Sequence, residues 1–460
     1  MASTADQQHE GGDGVRAGAP GPGARAQNAG GLVELPDAQA AILAAVRRLA
    51  GERVALEQAL GRVLAEDLRA EEPVPSFDSS AMDGFAVRAE DLAGASHDTP
   101  VQLAVVGESR AGSPAPVALD RGQAIAISTG AMLPEGADAV VQVENTRRKE
   151  GDGDARDSHA ARERAATAAT AGVVEMWAPV DPGLEIRRAG EDMRAGEAAL
   201  ARGTVLGPAA IGVLASLGRA EALCTRRPRV SLLLTGDELI APAEQSRPGT
   251  VRDSNSHALA ALARCCGAEV ARIGRVPDEA GATRAMLAAA LQDVDALVIC
   301  GGMSVGVHDH VRPSLDALGA VRSFWGLALK PGKPTWFGTL SGTPVFGLPG
   351  NPVSAMVTFT LLVAPALRAM QGAGGAPGGA TATLDVDYRK PAGRAHAVRC
   401  RLRAERDGWH AEPTGPQGSH ILTSLLLADA LAVVPSQATF VPAGSRLEIV
   451  RLPAPAEAFA

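Results

Sequence analysis

Between residues 229 and 371, short apolar runs alternate with longer stretches whose apolar residues recur at helical spacing. The apolar runs predict strands within segments 229–239, 269–276, 294–300 and 343–348. The helical patterns occupy segments 255–268 and 278–292, a short stretch through 315–318, and segment 352–370. Such alternation is typical of a mostly parallel sheet covered by helices on both faces, whose ligands bind beyond the carboxyl ends of the strands.

The rest of the chain follows other patterns. Residues 37–69 have an acidic start and helical apolar spacing, and a second helix is predicted in 201–218. From 73 to about 180 the runs are short, β-type and broken by Gly and Pro, and strand patterns return after a Gly-rich linker at 372–380. The predicted organisation is a disordered leader (1–31), a helical/β domain I (32–72 with 196–226), an inserted β-rich domain II (73–195, with a loop insertion at 147–171), an α/β domain III (227–372) and a strand-rich domain IV (373–460).

Composition excludes several functional classes. The 460 residues carry a net charge of −8 and only 3% aromatic residues, which argues against a nucleic-acid-binding protein. We expect no membrane span, because we predict no apolar run as long as the roughly 20 residues that a membrane-spanning helix needs. The five cysteines lack metal-ligand spacing, so reduced thiols in a cytoplasmic protein are expected.

Lysine use is unusual. Only four of the 44 cationic residues are lysine, and two of these four, Lys330 and Lys333, share the run Lys-Pro-Gly-Lys-Pro. Lysine is a compact point charge, whereas arginine is a planar fork, and the two differ around a small anion. Any anion site must be a local positive pocket in a negative molecule. A solvated surface turn is the alternative for this pair.

Three polar, Gly-containing loops follow the predicted strands of domain III. They begin at Thr235, at Gly301 and at Gly347, and the last leads through Asn351 and Pro352 into a helix. Such a helix start can bind an anion, although an ordinary strand–turn–helix junction explains the same residues. Acidic residues here could hold Mg²⁺ or be solvated acids and helix caps: Asp237, Glu238, Asp253 and Asp309.

Two further loops carry candidate polar groups. The run from Pro75 to Val87 places Asp78 and Asp83 among small residues, which suggests a loop that presents a carboxylate. A capped turn with a hairpin corner at Asp83-Gly84 is the alternative. In domain IV, His420 ends a polar Gly-rich loop and is interpreted as a hydrogen-bonded loop residue.

Together these runs resemble the molybdenum insertion enzymes, the MoeA-like molybdopterin molybdenumtransferases that include the E domain of gephyrin. The matching runs, in order from about Leu35 to Ile449, are FDSSAMDGFAV, ISTGAMLPEGADAVV, RRAGEDM, LLTGDEL, DSNSHALAA, GGMSVG, LALKPGKPTWFG, VFGLPGNPVSA and QGSH.

The resemblance implies a multidomain α/β plus β fold. Domain III would be a three-layer molybdopterin-binding domain and domain IV a β-barrel. It also implies a cytoplasmic homodimer whose cleft lies between domain III of one subunit and domain II of the other. The implied reaction inserts molybdate into the dithiolene of adenylylated molybdopterin, with Mg²⁺, and releases AMP. Its implied partners are the molybdopterin adenylyltransferase and acceptor molybdoenzymes. We expect it to bind neither nucleic acid nor a membrane.

The resemblance also implies residue roles. Molybdate would be bound by Lys330, Lys333, Ser354, Arg399 and Ser419. The catalytic acids would be Asp83, Glu238, Asp278 and Asp309, of which Glu238, Asp278 and Asp309 would also bind the metal. The other substrate-binding positions would be Thr129, Asp192, Thr235, Gly301, Gly302, Ser304, Gly350 and Asn351.

Two alternatives stay open at this point. An adenylyltransferase acting one step earlier would share the domain III fold, and would consume ATP with release of pyrophosphate. A non-enzymatic scaffold like gephyrin would bind peptides without using molybdate. Tungstate in place of molybdate also stays open, because the two oxyanions have nearly the same size and charge.

Overall fold

The computed structural model describes residues 31–149, 172–303, 310–374 and 379–453. The chain divides into two compact units: residues 51–224 form one, and the segments before residue 51 and after residue 224 form the other. Residues 1–30 of the predicted leader lie outside the described part of the chain.

The unit 51–224 is built around a six-stranded mixed sheet. In spatial order its strands are Ala139–Gln142, Gly84–Val87, Gln123–Ile127, Val101–Ser109, Val173–Met176 and Thr146–Lys149. Three short strand pairs and an α-helix accompany it: Gly51–Ala55 with Glu221–Thr225, Leu68–Arg69 with Ala198–Leu200, Ser79–Ser80 with Ile186–Arg187, and the helix Pro208–Ser216. Apolar clusters line the sheet, so this unit has a core of its own.

A six-stranded sheet covered by helices organises the first part of the other unit. Its strands, in spatial order, are Glu269–Val276, Arg229–Thr235, Ala296–Cys300, Thr343–Leu348, Trp336–Leu340 and Val321–Trp325. The first four are parallel, and the last two run antiparallel at one edge. The helices are Leu35–Ala45, Asn255–Cys265, Ala280–Ala290, Val311–Ala317, Pro352–Thr358 and Ala364–Gln371, the last two joined by a π-helical turn at Phe359–Val363.

Alternation within one strand shows why the sheet is covered on both sides. Leu232 and Leu234 pack into a cluster with the helices 255–265 and 352–371, whereas Leu233 packs into a second cluster with the helices 280–290 and 311–317. Successive strand side chains point to opposite faces, so a continuous apolar run requires two covered faces. The predicted three-layer α/β fold is therefore confirmed.

The C-terminal part closes into a barrel. Its five strands are, in order, Ala395–Glu405, Gly408–Pro413, Thr381–Leu384, Arg446–Arg451 and Ala430–Val434, and the last pairs with the first. The short strand Leu329–Lys330 adds to the barrel beside Ala395 and His396. The remaining elements are the strand pair Tyr388–Arg389 with Phe440–Val441 and the helical turn Thr423–Leu426. The predicted β-barrel is confirmed.

Two local predictions were wrong. The helix expected over 37–69 ends at Ala45, where Val46 adopts an extended backbone, and the strand Gly51–Ala55 follows. Gly61, with a left-handed φ of 72°, further prevents a helix through the rest of the range. The first three residues of the loop insertion expected over 147–171 are not a loop, since Thr146–Lys149 forms a strand that pairs with Val173–Met176. Residues 150–171 lie outside the described part of the chain.

One helical stretch contradicts the expectation about apolar length. Residues Pro352–Gln371 form a 20-residue helical stretch long and apolar enough to cross a membrane. However, 83% of its most apolar window is buried inside the fold, which is typical of a core helix.

Candidate functional site

The three loops predicted at the carboxyl ends of the parallel strands do meet. A side chain added at Gly301 would come within 2.4 Å of Thr235 Oγ1, and one added at Gly350 would lie 3.6 Å from the Gly301 Cα. Gly301 also donates its N–H to Leu348 O, at 3.0 Å. The sheet edge thus brings together Thr235, Gly301, Gly302 and Gly350, whereas Ser304 lies outside the described residues.

Glycine is required at this junction for two reasons. Gly301 and Gly302 have φ values of 94° and 64°, a region that L side chains rarely adopt. A Cβ at Gly302 would also lie 2.5 Å from Val311 Cγ2. The loop therefore needs both the unusual backbone and the missing side chain.

Gly301→Ala is expected to destabilise the protein by about 1–3 kcal/mol, because it adds both strain and a clash with Thr235. The measurement is the free energy of unfolding in urea. The control is Gly212→Ala, in the helix Pro208–Ser216, where an added Cβ meets nothing within 4 Å. That change should stabilise by about 0.5–1 kcal/mol. Equal effects of both changes would contradict the crowded junction.

Asn255 is a site residue that the sequence reasoning missed. Its Nδ2 donates to Gly350 O at 2.7 Å and to Cys300 Sγ at 3.3 Å, so it ties the start of one helix to two of the loops. Its place in the run DSNSHALAA was the available signal. The neighbouring Asp253 accepts the Ser256 N–H at 2.9 Å, which is the helix-cap alternative rather than a free metal ligand.

The lysine turn lies against the long apolar helix. Gly332 has a φ of 130°, and a Cβ there would lie 2.7 Å from Thr358 Cγ2. Thr358 in turn bonds Ser354 O, at 2.7 Å. Lys330 and Lys333 are both exposed, so their ammonium groups are available while the backbone beneath them is packed.

The start of that helix is shared with the barrel. Asn351 occupies the N-cap position without a side-chain cap bond, and Pro352 follows in the first turn. The Val353 N–H donates to Ser419 O at 3.2 Å, so the barrel loop 415–420 reaches one of the free helix donors. Ser354 is buried in the first helical turn. The predicted residues Ser354 and Ser419 are therefore neighbours.

Arg399 lies buried behind the same barrel loop. Its side chain is 0% exposed; Nε donates to Ser424 Oγ at 2.8 Å, and one terminal nitrogen lies 3.3 Å from both Pro416 O and Gly418 O. The backbone N–H of Arg399 donates to Gln417 Oε1 at 2.9 Å. Within the described part of the chain its other terminal nitrogen, Nη1, is buried without an acceptor. A buried unpaired donor is costly, and an anion is the partner that would satisfy it.

The local potential around the lysine turn is positive. Burial, together with the nearby Lys330, Lys390 and Arg394, lowers the pKa of His396 to about 4. The ring is therefore neutral at pH 7, and its Nδ1 lies 3.1 Å from the Tyr388 hydroxyl. A chain of net negative charge thus carries a positive region next to Lys330, as the sequence analysis required of an anion site.

The acidic candidates are less tightly grouped. Glu238 and Asp278 are exposed in loops that follow two adjacent strands, and neither carboxylate has a hydrogen-bond partner among the described residues. Arg275 Nη1 donates to Leu239 O, which links the two loops. Among the described residues, neither acid belongs to a group of three metal-ligating side chains. Asp309 lies outside the described residues.

The unit 51–224 assembles a separate group from three sequence runs. Asp83 Oδ1 accepts from Thr129 N at 2.6 Å and from Thr129 Oγ1 at 2.9 Å. These bonds lower the pKa of Asp83, so the exposed carboxylate stays ionised. Asp78 is instead structural, since it accepts from Arg188 Nη1 and Ala189 N, at 2.7 and 2.8 Å. Asp192 is also exposed, and it follows Arg188 by four residues along the chain.

The hairpin alternative for Asp83-Gly84 was wrong. Gly84 begins a strand that is paired on both sides, to Ile127 and to Gln142. A Cβ at Gly84 would lie 2.0 Å from Val141 O, so close backbone approach explains the glycine.

The unit formed by the segments before residue 51 and after residue 224 has an arrangement that can bind a polyanionic ligand. Gly-rich loops at the sheet edge let a ligand approach backbone donors. The lysine turn, the helix start and the barrel loop supply cations and hydroxyl groups suited to a tetrahedral oxyanion. Both features meet at the segment 350–354, so a ligand could span them.

Family models match most of the chain. Residues 33–218 match the MoeA N-terminal region (domain I and II), residues 231–369 match a probable molybdopterin binding domain, and residues 381–452 match the MoeA C-terminal region (domain IV).

Named relatives agree with these matches. The chain is 35% identical over 401 residues to the molybdopterin molybdenumtransferase of Haemophilus influenzae, covering 86% of this chain and 93% of that one. It is 34% identical over 401 residues to that of Bacillus subtilis, covering 87% and 89%. Among solved structures, the molybdopterin biosynthesis MoeA protein of Pyrococcus horikoshii is similar, with a TM-score of 0.75 and 30% identity over 92% of this chain and all of that one.

Proposed function

This chain belongs to the MoeA family, and from that membership we propose that it is a molybdopterin molybdenumtransferase of molybdenum cofactor biosynthesis. Its substrates are molybdate and a molybdopterin, which we take to be the adenylylated form. The product is the molybdenum-loaded dithiolene, and AMP is released.

The observation that carries the proposal is the basic corner at the start of the helix Pro352–Gln371. Lys330 and Lys333 lie there on one turn, Ser354 and the Ser419 loop adjoin it, and Arg399 has an unsatisfied buried donor. Molybdate is a tetrahedral dianion, and charged donors are its natural partners. Tungstate would fit the same donors.

We assign the sheet-edge loops to the rest of the substrate. Thr235, Gly301, Gly302 and Gly350 line one junction, where backbone N–H groups can meet phosphate oxygens. Asn351 and Ser304 belong to the same loops by sequence. This division puts the reacting dithiolene close to the lysine turn and the nucleotide end at the sheet edge.

Mg²⁺ is the proposed cofactor. Glu238 and Asp278 offer unbonded carboxylate oxygens on adjacent loops, which are the hard ligands that Mg²⁺ prefers, and Asp309 would complete the set. When bound, the ion would neutralise phosphate charge as the anhydride breaks. The same carboxylates repel a phosphate unless a cation lies between them.

We further propose a cytoplasmic homodimer. In it Asp83, Thr129 and Asp192 act on the substrate held by the other subunit. Its partners are the adenylyltransferase that makes the substrate and the apo-molybdoenzymes that receive the product.

The test is AMP release from adenylylated molybdopterin by the purified protein, with and without molybdate and Mg²⁺, paired with reconstitution of an apo-molybdoenzyme. Molybdate-stimulated AMP release with active cofactor is the expected result. Release of pyrophosphate from ATP and molybdopterin would instead identify an adenylyltransferase. Tight substrate binding without turnover would identify a carrier or scaffold.

Asp83→Asn is expected to lower turnover on the order of 10²-fold, because it removes the negative charge of a carboxylate that the hydrogen bonds from Thr129 keep ionised. Its melting temperature should stay unchanged, since Asp83 is exposed. The control is Asp78→Asn in the same loop, which loses the Arg188 contact and should lower stability slightly while keeping most of the activity. A similar loss of turnover in both variants would count against a direct role for Asp83.

A further inference from the structure

A hairpin tip of the barrel gathers an imidazole and two carboxylates that the proposed reaction does not use. The strands Ala395–Glu405 and Gly408–Pro413 pair tightly, with Glu405 opposite Gly408. Glu405 lies six residues beyond Arg399 on an extended strand, which corresponds to about 20 Å. The tip is therefore distinct from the basic corner at the start of the helix Pro352–Gln371.

The three side chains already have the spacing of a metal site. His410 Nε2 lies 3.0 Å from Asp407 Oδ1 and 3.9 Å from Glu405 Oε2, and one ligand atom from each residue falls within 4.8 Å of the others. Two ligands that each bind a Zn²⁺-like ion at roughly 2.0–2.2 Å lie about 3–3.6 Å apart. Small side-chain shifts would thus complete the site.

A fourth residue orients the imidazole. Asp385 Oδ1, from the loop after the strand Thr381–Leu384, lies 2.7 Å from His410 Nδ1. This contact turns Nε2 towards Asp407 and Glu405, and it reproduces the carboxylate–histidine–metal arrangement of protein metal sites. His410 is largely buried, with its side chain 14% exposed, so the ring is held in place.

The local charge suits a divalent cation. Arg403 pairs with Asp385 at 2.9 Å and with Glu405 at 3.0 Å. Arg446 acts on Asp407 as well, because its charge helps to lower the pKa of that carboxyl. The carboxylates of Asp385, Glu405 and Asp407 still outnumber the two guanidinium groups. A divalent cation would offset the remaining negative charge.

We propose that Glu405, Asp407 and His410 bind one divalent transition-metal ion of the Zn²⁺ class, with Asp385 as the carboxylate behind the imidazole. Mixed imidazole and carboxylate ligands favour Zn²⁺ over Mg²⁺. The ion joins the two sides of the hairpin tip and stabilises the barrel. A proton competes for the same nitrogen, because Asp385 and Asp407 raise the pKa of His410.

The experiment uses the full chain, freed of metal with a chelator, at pH 8, because a higher pH favours the unprotonated imidazole that a metal ion needs. Zn²⁺ is titrated in competition with a chromophoric chelator, and calorimetry records the melting temperature. We expect a site with micromolar or tighter affinity and a melting temperature that rises with Zn²⁺. Millimolar Mg²⁺ should not displace the ion.

Variants separate this site from incidental Zn²⁺ binding. His410→Gln should abolish the site, and Asp385→Asn should weaken it about 10- to 100-fold. His257→Gln, an exposed histidine on the helix Asn255–Cys265, should change nothing. Unaltered Zn²⁺ binding in His410→Gln, or no Zn²⁺ binding by the parent chain, would overturn the proposal and leave an ion-pair network only. Neither readout depends on molybdate, so the proposed enzyme activity can stand or fall separately.

Discussion

Lys330→Ala is expected to raise the molybdate concentration for half-maximal activity by about 10- to 100-fold, because a charge-assisted contact contributes roughly 1.5–3 kcal/mol. Lys330 is exposed at the end of the short strand Leu329–Lys330, beside the buried His396. Its removal takes away part of the local positive potential without opening the core. The measurement is AMP release at limiting molybdate, with adenylylated molybdopterin saturating.

Lysine 149 provides the matched control. Its Nζ lies 2.6 Å from Glu175 Oε1, in the unit 51–224, and with Arg147 it lowers the pKa of Glu175 to about 2. Lys149→Ala loses an ion pair but no proposed molybdate contact, so the molybdate requirement should change less than about twofold. Equal molybdate dependence in the two variants would remove Lys330 from the anion site.

Arg399→Met is expected to have two effects. It should destabilise the protein by about 2–4 kcal/mol, because Ser424 Oγ and the carbonyls of Pro416 and Gly418 lose a buried donor. It should also abolish the stabilisation that molybdate gives the parent chain, about 2.7 kcal/mol at 100 times the dissociation constant. The second effect follows from the unpaired Nη1, which a bound anion would satisfy.

Thermal unfolding with and without molybdate measures both effects. Arg62→Met is the control, since Arg62 is also buried but pairs with Glu52 in the unit 51–224. That variant should lose stability and keep the molybdate response. A full molybdate response in Arg399→Met would show that Arg399 supports the barrel loop without touching the anion.

Local pattern predicted the α/β part of the chain well. The strands Glu269–Val276 and Thr343–Leu348 match their predicted ranges, because apolar runs bounded by Gly, Pro and charged residues leave few alternatives. Prediction failed where a short amphipathic stretch could be helix or strand, as after Ala45. It also missed the antiparallel edge strands Val321–Trp325 and Trp336–Leu340, which pair with each other and join the sheet through Thr343–Leu348. The strand preference of such short segments depends on the neighbours that they pack against.

In the candidate site, too, some positions can be predicted from the sequence and others are identified only by the fold. Glycine positions, the lysine run and the helix start at Pro352 follow from residue type, since backbone freedom and charge are local properties. The role of Asn255 does not, because its partners Gly350 and Cys300 lie far away along the chain. Asp78 and Asp83 look equivalent in the sequence, yet only the fold gives Asp78 an arginine partner and leaves Asp83 exposed.

By itself the sequence determined the domain types, the ordered family runs and the residue chemistry available to the protein, since these depend on short-range pattern and composition. Only the tertiary structure decided which of those residues meet. It buried Arg399 with an unsatisfied donor beneath the loop that contacts the helix start, and it gathered Asp385 and His410 at a hairpin tip. Such contacts depend on long-range pairing and on which groups lose water, and no local pattern encodes either.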